Sequence, residues 1–230
     1  MRAANPHQAS NSVLSTGAEL RLTGTRAAAA AVVCMNGGQA REVEGTWSAS
    51  LEWLVSRLSP SFPELLFAEV RYRIKSWKKL DWCIEDAHAA LEAVGAKRTL
   101  LVGFSMGGAV ASRVAAEPSV ETVVGLAPWF PDRLPLDALV GRRLRVLHGS
   151  LDRWLPGIPG VSTTSSRRGF DRARALGVEG EYTIIPGALH GLALRAHWGH
   201  PVPLPRARTW ARLVADELRR FELAAQTSPG

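Results

Sequence analysis

The stretch TLLVGFSMGGAVASRVAA, residues 99–116, decides how this chain folds. Its first four residues are a β-branched threonine and three apolar residues, which predicts a buried strand over residues 99–102. The next five, GFSMG at 103–107, fit the pattern G-x-S-x-G, and the small residues that follow favour a helix over 106–116. A serine on such a tight strand-to-helix turn has a strained backbone, and its hydroxyl stands near the positive end of the helix. The stretch therefore predicts a reactive serine at position 105.

Outward from this stretch, short apolar runs alternate with helical patterns. The runs predict strands over 30–35, 65–70, 99–102, 122–126, 144–147 and 182–185, and Leu20 with Leu22 adds an N-terminal edge strand. The helical patterns cover 50–58, 81–94, 106–116, 163–176 and a last segment that begins after Pro205. Apolar strands that alternate with helices predict the α/β class, a mostly parallel sheet with helices on both faces.

The length and patterning predict one domain rather than two. We expect this domain to span 13–225, between a flexible N-terminus at 1–12 and a frayed tail at 226–230. The longest interruption of the pattern, 127–143, is rich in Pro and Arg and has room for a short lid but not for a domain.

Composition excludes several classes of protein. Hydrophobic residues make up 46% and charged residues 21%, which is typical of a globular domain. No apolar run approaches the roughly 18 residues of a membrane span, and the N-terminus lacks the apolar core of a secretory signal. We therefore expect a cytoplasmic protein whose two cysteines, Cys34 and Cys83, are reduced.

The formal net charge is +7, but the basic residues are spread along the chain without a nucleic-acid-binding signature. We interpret this charge as a solvated surface and expect neither a nucleic-acid nor a membrane partner. An anionic substrate is a minor alternative.

A serine hydroxyl is a poor nucleophile at neutral pH and needs a base, which in turn needs an orienting acid. Asp152 lies in the segment HGSLDRW, shortly after the predicted strand 144–147. His190 lies in the segment GALHG, after the predicted strand 182–185. Both therefore belong at carboxyl ends of parallel strands, where open sheets place their ligands.

In GFSMGG, HGSLDRW and GALHG, the chain resembles the α/β-hydrolase superfamily, and within it a small bacterial serine hydrolase without a large cap domain. The resemblance runs from about residue 30 to the C-terminal helix. It implies an α/β-hydrolase fold with Ser105 as nucleophile, Asp152 as acid and His190 as general base. It also implies cleavage of a carboxylic ester or related acyl substrate, a small molecule, through an acyl-enzyme intermediate. That mechanism requires no metal and no organic cofactor.

Developing charge on the substrate carbonyl needs N–H donors held in place. We expect one donor at the backbone of Met106 and the other at Gly38, with Gly37 as the next choice. Related proteins often carry His-Gly-Gly at this turn, whereas this chain has Asn36 before the two glycines. The backbone donors remain, but the side-chain hydrogen bonds of the loop must differ. A plain glycine-rich turn is the alternative interpretation.

Several other residues have competing interpretations. Asp132 and Asp137 are alternative acids, although their surroundings favour a surface loop. His197 and His200 have a spacing that could serve a metal, but no Cys or carboxylate is near them in sequence. His148 follows a strand and is better explained as a packed residue behind the site than as the base.

Three loop tryptophans, Trp129, Trp154 and Trp198, each follow a predicted carboxyl strand end. They could form the wall of an apolar acyl pocket and bind substrate there, or they could simply cover the core.

Two further function classes stay open at this point. The same three residues also serve cofactor-free perhydrolases, acyltransferases and peptidases. A protein that kept the fold but binds without turnover is the second class, because a fold does not determine a function. Oligomeric state cannot be read from the sequence.

Overall fold

The computed structural model describes residues 10–26, 28–152 and 160–227. Its strands are β1 (Ser10–Val13), β2 (Glu19–Thr23), β3 (Ala30–Met35), β4 (Leu65–Arg71), β5 (Arg98–Phe104), β6 (Val120–Leu126), β7 (Arg143–Gly149), β8 (Glu179–Ile185), β9 (Ala193–Arg195) and β10 (Pro201–Pro203). The helices are α1 (Ala49–Leu58), α2 (Leu80–Val94), α3 (Met106–Val114), α4 (Thr163–Ala175) and α5 (Ala207–Thr227).

Strands β1 to β8 form one sheet in the order β1-β2-β4-β3-β5-β6-β7-β8. All neighbours from β4 to β8 run parallel, while β1 and β2 are antiparallel additions at one edge. The predicted mostly parallel sheet is therefore confirmed. Every predicted strand is present, most of them extended by one to three residues beyond the apolar run.

Helices cover both faces of the sheet, as predicted. Helices α2, α3 and α4 pack on one core and α1 and α5 on the other. Strand β3 shows why both faces are apolar: Val33 and Met35 point into the first core, and Val32 and Cys34 into the second. Helix α5 buries Trp210 completely within the second core. None of the described helices has the length and apolar character that a membrane span requires.

The N-terminal edge differs from the prediction. Residues 10–12, expected to be part of a flexible end, belong to β1 and pair with β2 from Ser10 opposite Leu22 to Val13 opposite Glu19. A tight turn closes this hairpin, with the Leu14 N–H donating to the Ala18 carbonyl. Strand β1 is polar and solvent-facing, so its sequence lacks the hydrophobic alternation that would predict a strand. Strand β2 is consequently not the edge strand.

The Pro- and Arg-rich interruption at 127–143 is folded against the body of the protein. Its apolar side chains Phe130, Leu134, Leu136 and Leu139 are buried in the core beneath α3 and α4. Arg172 of α4 donates to the carbonyl of Pro131 at 2.9 Å, which ties the segment down.

Candidate active site

Ser105 occupies the turn between β5 and α3. Its φ of 54° and ψ of −118° lie in a sparsely populated region for a residue with a side chain. Three backbone hydrogen bonds of 2.9 Å hold it there: its N–H donates to Leu126, and its carbonyl accepts from Gly108 and Trp129. Such local strain persists only where the surroundings impose it, and it is concentrated at functional sites.

The two glycines of the G-x-S-x-G pattern permit the close approach of α3 to the sheet. A Cβ on Gly107 would lie 2.1 Å from the carbonyl oxygen of Met35, and one on Gly103 would lie 2.4 Å from that of Gly107. Both distances are far below van der Waals contact, so each position excludes a side chain. The pattern is therefore a packing requirement that brings Ser105 beside the turn after β3.

The structure brings Asp152 and His190 together. Asp152 lies after β7 and His190 after β8, and the imidazole Nδ1 is 2.7 Å from Asp152 Oδ2. The Asp152 side chain is buried, whereas His190 remains 11% exposed. The ring of Phe104 contacts the His190 imidazole, with centroids 5.2 Å apart. The alternative acid Asp132 is exposed and pairs with Arg168.

A second histidine also contacts the Asp152 carboxylate. His148 Nε2 lies 2.8 Å from the same Oδ2 atom and 3.0 Å from the carbonyl of Val161. Because both neighbours are acceptors, Nε2 carries the proton and His148 donates. The N–H of Val161 donates to the other carboxylate oxygen at 3.1 Å. His148 is fully buried and therefore lies behind the site, as predicted, rather than in it.

These contacts determine the charge state of Asp152. Burial alone raises the pKa of its carboxyl, but hydrogen bonds from His148 and His190 outweigh burial and leave the pKa below its ordinary value. Asp152 is therefore ionised at neutral pH and oriented by two imidazoles.

The polar contacts continue from His148 into the protein. His148 Nδ1 lies 2.7 Å from Ser166 Oγ, which lies 2.7 Å from the Tyr182 hydroxyl. The Tyr182 hydroxyl donates to the carbonyl of Thr163 at 3.1 Å. We call Tyr182, Ser166 and His148 the buried chain. Every ring nitrogen of His148 is thus bonded, which fixes the orientation of its imidazole.

Ser105 and His190 line one cavity of about 270 Å³ at the carboxyl edge of the sheet. Its walls come from the loops after β3, β4, β5 and β8 and from β9. Within the described residues, no direct hydrogen bond joins Ser105 Oγ to His190. Such bonds are often long in unliganded enzymes and tighten when substrate binds.

The turn after β3 lines this cavity, and its backbone N–H groups differ in whether they already have a hydrogen-bond partner. Asn36 Oδ1 accepts the N–H of Gly37 at 2.6 Å, and its Nδ2 donates to the carbonyl of Thr46 at 2.6 Å. The N–H of Gly37 is therefore occupied, while Gly38 has no such partner among the described residues. The N–H of Met106 is the first of α3 and has no acceptor within the helix. These positions favour Gly38 over Gly37 as the second donor.

Two of the three tryptophans predicted to bind substrate do not line the cavity. Trp129 packs against Trp77, with ring centroids 6.0 Å apart, and does not line the cavity. Trp198 is 61% exposed at the tip of the β9–β10 hairpin and does not line it either. Trp154 lies outside the described residues. A position after a strand end places a residue near this edge, but it does not set the direction of the side chain.

Three residues of the site were not found by sequence reasoning. Ser50, at the start of α1, accepts the N–H groups of Leu192 and Ala193 at 3.0 and 3.2 Å and so fixes the loop that carries His190. Phe104 and Lys75 line the cavity. Lys75 follows the carboxyl end of β4, so the rule that predicted Asp152 and His190 could also have pointed to it.

No family model matches this chain, and no curated protein is significantly similar to it in sequence. Solved structures are similar in fold. An alpha/beta hydrolase enzyme from a Medee basin deep-sea metagenome library superposes with a TM-score of 0.66 at 16% identity, over 94% of this chain and 98% of the other. Dienelactone hydrolase from Anabaena variabilis gives 0.65 at 16% identity, over 94% and 99%. A carboxylesterase from Lactobacillus plantarum gives 0.61 at 14% identity, over 97% and 100%. This chain has the α/β-hydrolase fold.

Proposed function

We propose that this protein is a serine hydrolase that cleaves a carboxylic ester or related acyl substrate through an acyl-enzyme intermediate. One observation carries the proposal: the strained Ser105 and the Asp152-bound His190 line the same cavity. The names of the solved structures with this fold, a carboxylesterase among them, support the same class of reaction.

In the proposed mechanism each group has its own step. The Nδ1 of His190 donates to Asp152, so its Nε2 has the free lone pair and takes the proton of Ser105 as the hydroxyl attacks the acyl carbon. The ionised Asp152 stabilises the imidazolium that forms. His190 then protonates the leaving group, and an acyl-Ser105 ester remains. Water activated by His190 releases the acid and regenerates the serine.

The negative charge of each tetrahedral intermediate is held by the N–H groups of Met106 and Gly38. Each donor of this kind contributes about 3 kcal/mol to transition-state stabilisation where it has been measured. The hydrogen bonds of Asn36 hold the Gly38 turn in position before substrate arrives.

The test is Ser105→Ala. We expect this change to abolish hydrolysis of para-nitrophenyl acetate and covalent labelling by a fluorophosphonate probe, because both reactions need the Ser105 oxygen. Ser56→Ala is a matched control, since Ser56 lies on the exposed face of α1 and its hydroxyl donates to the carbonyl of Trp53 within the same helix. Full activity in Ser105→Ala would overturn the proposal. Wild-type protein that is folded but neither labelled nor active would instead support a binding protein.

A competition between acyl acceptors would refine the reaction type. Water, an alcohol and hydrogen peroxide are offered to the acyl-enzyme, and the products are quantified. A predominance of free acid supports the hydrolase, whereas ester or peracid as the main product would indicate an acyltransferase or a perhydrolase.

A further inference from the structure

A lysine without an acidic partner lines the cavity beside Ser105 and His190. Lys75 is half-buried, and its ammonium donates to the hydroxyl of Thr46 at 2.6 Å. It forms no ion pair with any Asp or Glu of the described residues. Among the described residues that line the cavity there is no carboxylate, and the ionisable side chains there are Lys75 and His190. The cavity therefore carries an uncompensated positive charge.

The acidic residues of the facing loop are paired with other cations. Glu42 lies 4.0 Å from Lys79, and Glu44 lies 2.5 Å from Arg71. Lys75 is joined to the same loop through its backbone, since its N–H donates to the carbonyl of Val43 at 2.9 Å. Glu42 and Glu44 are therefore engaged by other cations, and neither forms an ion pair with the Lys75 ammonium.

Lys75 is also connected to the turn that presents the oxyanion donors. Its partner Thr46 accepts the side-chain amide of Asn36 through the carbonyl oxygen, at 2.6 Å. The ammonium and the Gly38 turn are therefore held by one residue. This linkage keeps the positive charge beside the reacting centre without adding a counter-charge.

Holding a lysine partly out of water disfavours its charged form, and burial lowers the pKa of Lys75 accordingly. A partly buried ammonium that has no carboxylate partner is unfavourable in free energy when no ligand is bound. A bound anion would offset that cost, because a charge-assisted hydrogen bond is stronger in a site with little water.

We propose that the cavity takes an ester that bears a second, anionic group such as a carboxylate, and that Lys75 binds that group. The inference rests on the proposed hydrolase function and adds a substrate class to it. The volume of about 270 Å³ limits such an ester to a compact molecule.

The test compares charged and neutral esters of matched shape. In the first arm, the mono-para-nitrophenyl ester of glutaric acid is compared with para-nitrophenyl pentanoate, which places the charge on the acyl part. In the second arm, acetylated hydroxybenzoic acid is compared with acetylated hydroxybenzamide, which places the charge on the leaving group. The ratio of kcat/KM within each pair measures the preference for the anion.

We expect wild-type protein to prefer the anionic ester in at least one arm by about tenfold, the size expected of one hydrogen bond to a charged group. Lys75→Met should remove this preference, so that the ratio of kcat/KM within each pair falls to about one. Lys97→Met is the control, because Lys97 is an exposed lysine at the opposite end of the sheet and should keep the wild-type ratio.

The neutral esters separate the possible failures. No hydrolysis of any ester would overturn the proposed function. Equal kcat/KM values within both pairs, or a preference that Lys75→Met leaves unchanged, would overturn the role of Lys75 and leave the hydrolase proposal intact.

Discussion

Asp152 is shared by two imidazoles that have different tasks. His190 lies at the cavity and is the base of the proposed mechanism, whereas His148 is completely buried and contacts the same carboxylate oxygen. His148 therefore acts on the reaction only through Asp152, as a positioning residue. Its donated proton keeps the carboxylate ionised and aimed at His190.

We expect His148→Phe to lower kcat about tenfold, because one charge-assisted hydrogen bond to Asp152, worth about 1.5 kcal/mol, disappears. KM should change little, since His148 does not line the cavity. The measurement is steady-state hydrolysis of para-nitrophenyl acetate, with thermal melting recorded alongside.

Ser166→Ala separates positioning from stability. Ser166 is equally buried and belongs to the same buried chain, but it leaves the contact between His148 and Asp152 in place. It should lower the melting temperature without a comparable loss of kcat. Equal kcat in His148→Phe and wild type would contradict the positioning role.

Some residues of the site could be predicted from sequence and others could not. Asp152 and His190 follow buried strands in short segments, and the end of a buried strand can be predicted from the end of its apolar run. Lys75 follows a strand too, but a lysine in a loop is usually solvated, so its entry into a cavity depends on tertiary packing. The direction of Trp198 depends on the β9–β10 hairpin, which has only three residues per strand.

Among the elements, the junction of α3 with β3 sets the position of the nucleophile. We expect Gly107→Ala to lower the free energy of unfolding by about 3 kcal/mol, because the new methyl group would overlap the carbonyl oxygen of Met35. Backbone atoms cannot move aside cheaply, so α3 must shift and displace Ser105. Denaturant unfolding and fluorophosphonate labelling measure the two effects.

Gly37→Ala is the matched comparison for stability. Its new Cβ would lie 3.4 Å from the ring of Phe104, which is ordinary van der Waals contact. The free energy of unfolding should change by less than about 1 kcal/mol. Similar unfolding curves for Gly107→Ala and wild type would show that the close approach of α3 is not required.

The parallel core of the sheet was predictable because its strands are buried on both faces and therefore apolar throughout. Strand β1 was not predictable, since its residues SNSV are stabilised by pairing with β2 rather than by burial. The same holds for the short β9–β10 hairpin, whose strands are mostly exposed. Elements held by backbone pairing at an edge leave no hydrophobic pattern.

The molecule has a formal net charge of +7. Its cations are of two kinds, which differ in the pH at which they lose their charge. Many arginines are paired with carboxylates, as the half-buried Arg143 and the buried Arg145 are with Glu181 and Glu217. Their charge persists to high pH, and the isoelectric point of the sequence is about 10.2. Lys75 differs, because burial lowers its pKa below that of an ordinary lysine.

Because of this difference in pKa, measurements at several pH values can distinguish the charge of Lys75 from the overall charge of the molecule. Burial favours the neutral amine, so the Lys75 ammonium should lose its proton at a lower pH than a free lysine, whose pKa is about 10.4. Its facing groups are the Thr46 hydroxyl and, across the cavity, His190; the acids of the adjoining loop are paired elsewhere.

We therefore expect the wild-type preference for the anionic ester to fall as pH rises within the alkaline range below the isoelectric point of about 10.2, where the molecule as a whole stays positive. Dividing kcat/KM for the anionic ester by that for its neutral partner cancels every effect of pH on the enzyme that the two substrates share. In Lys75→Met the ratio should remain flat across the same range, because the ammonium that lines the cavity is gone. A ratio that falls in parallel in both proteins would assign the preference to the overall charge instead of Lys75.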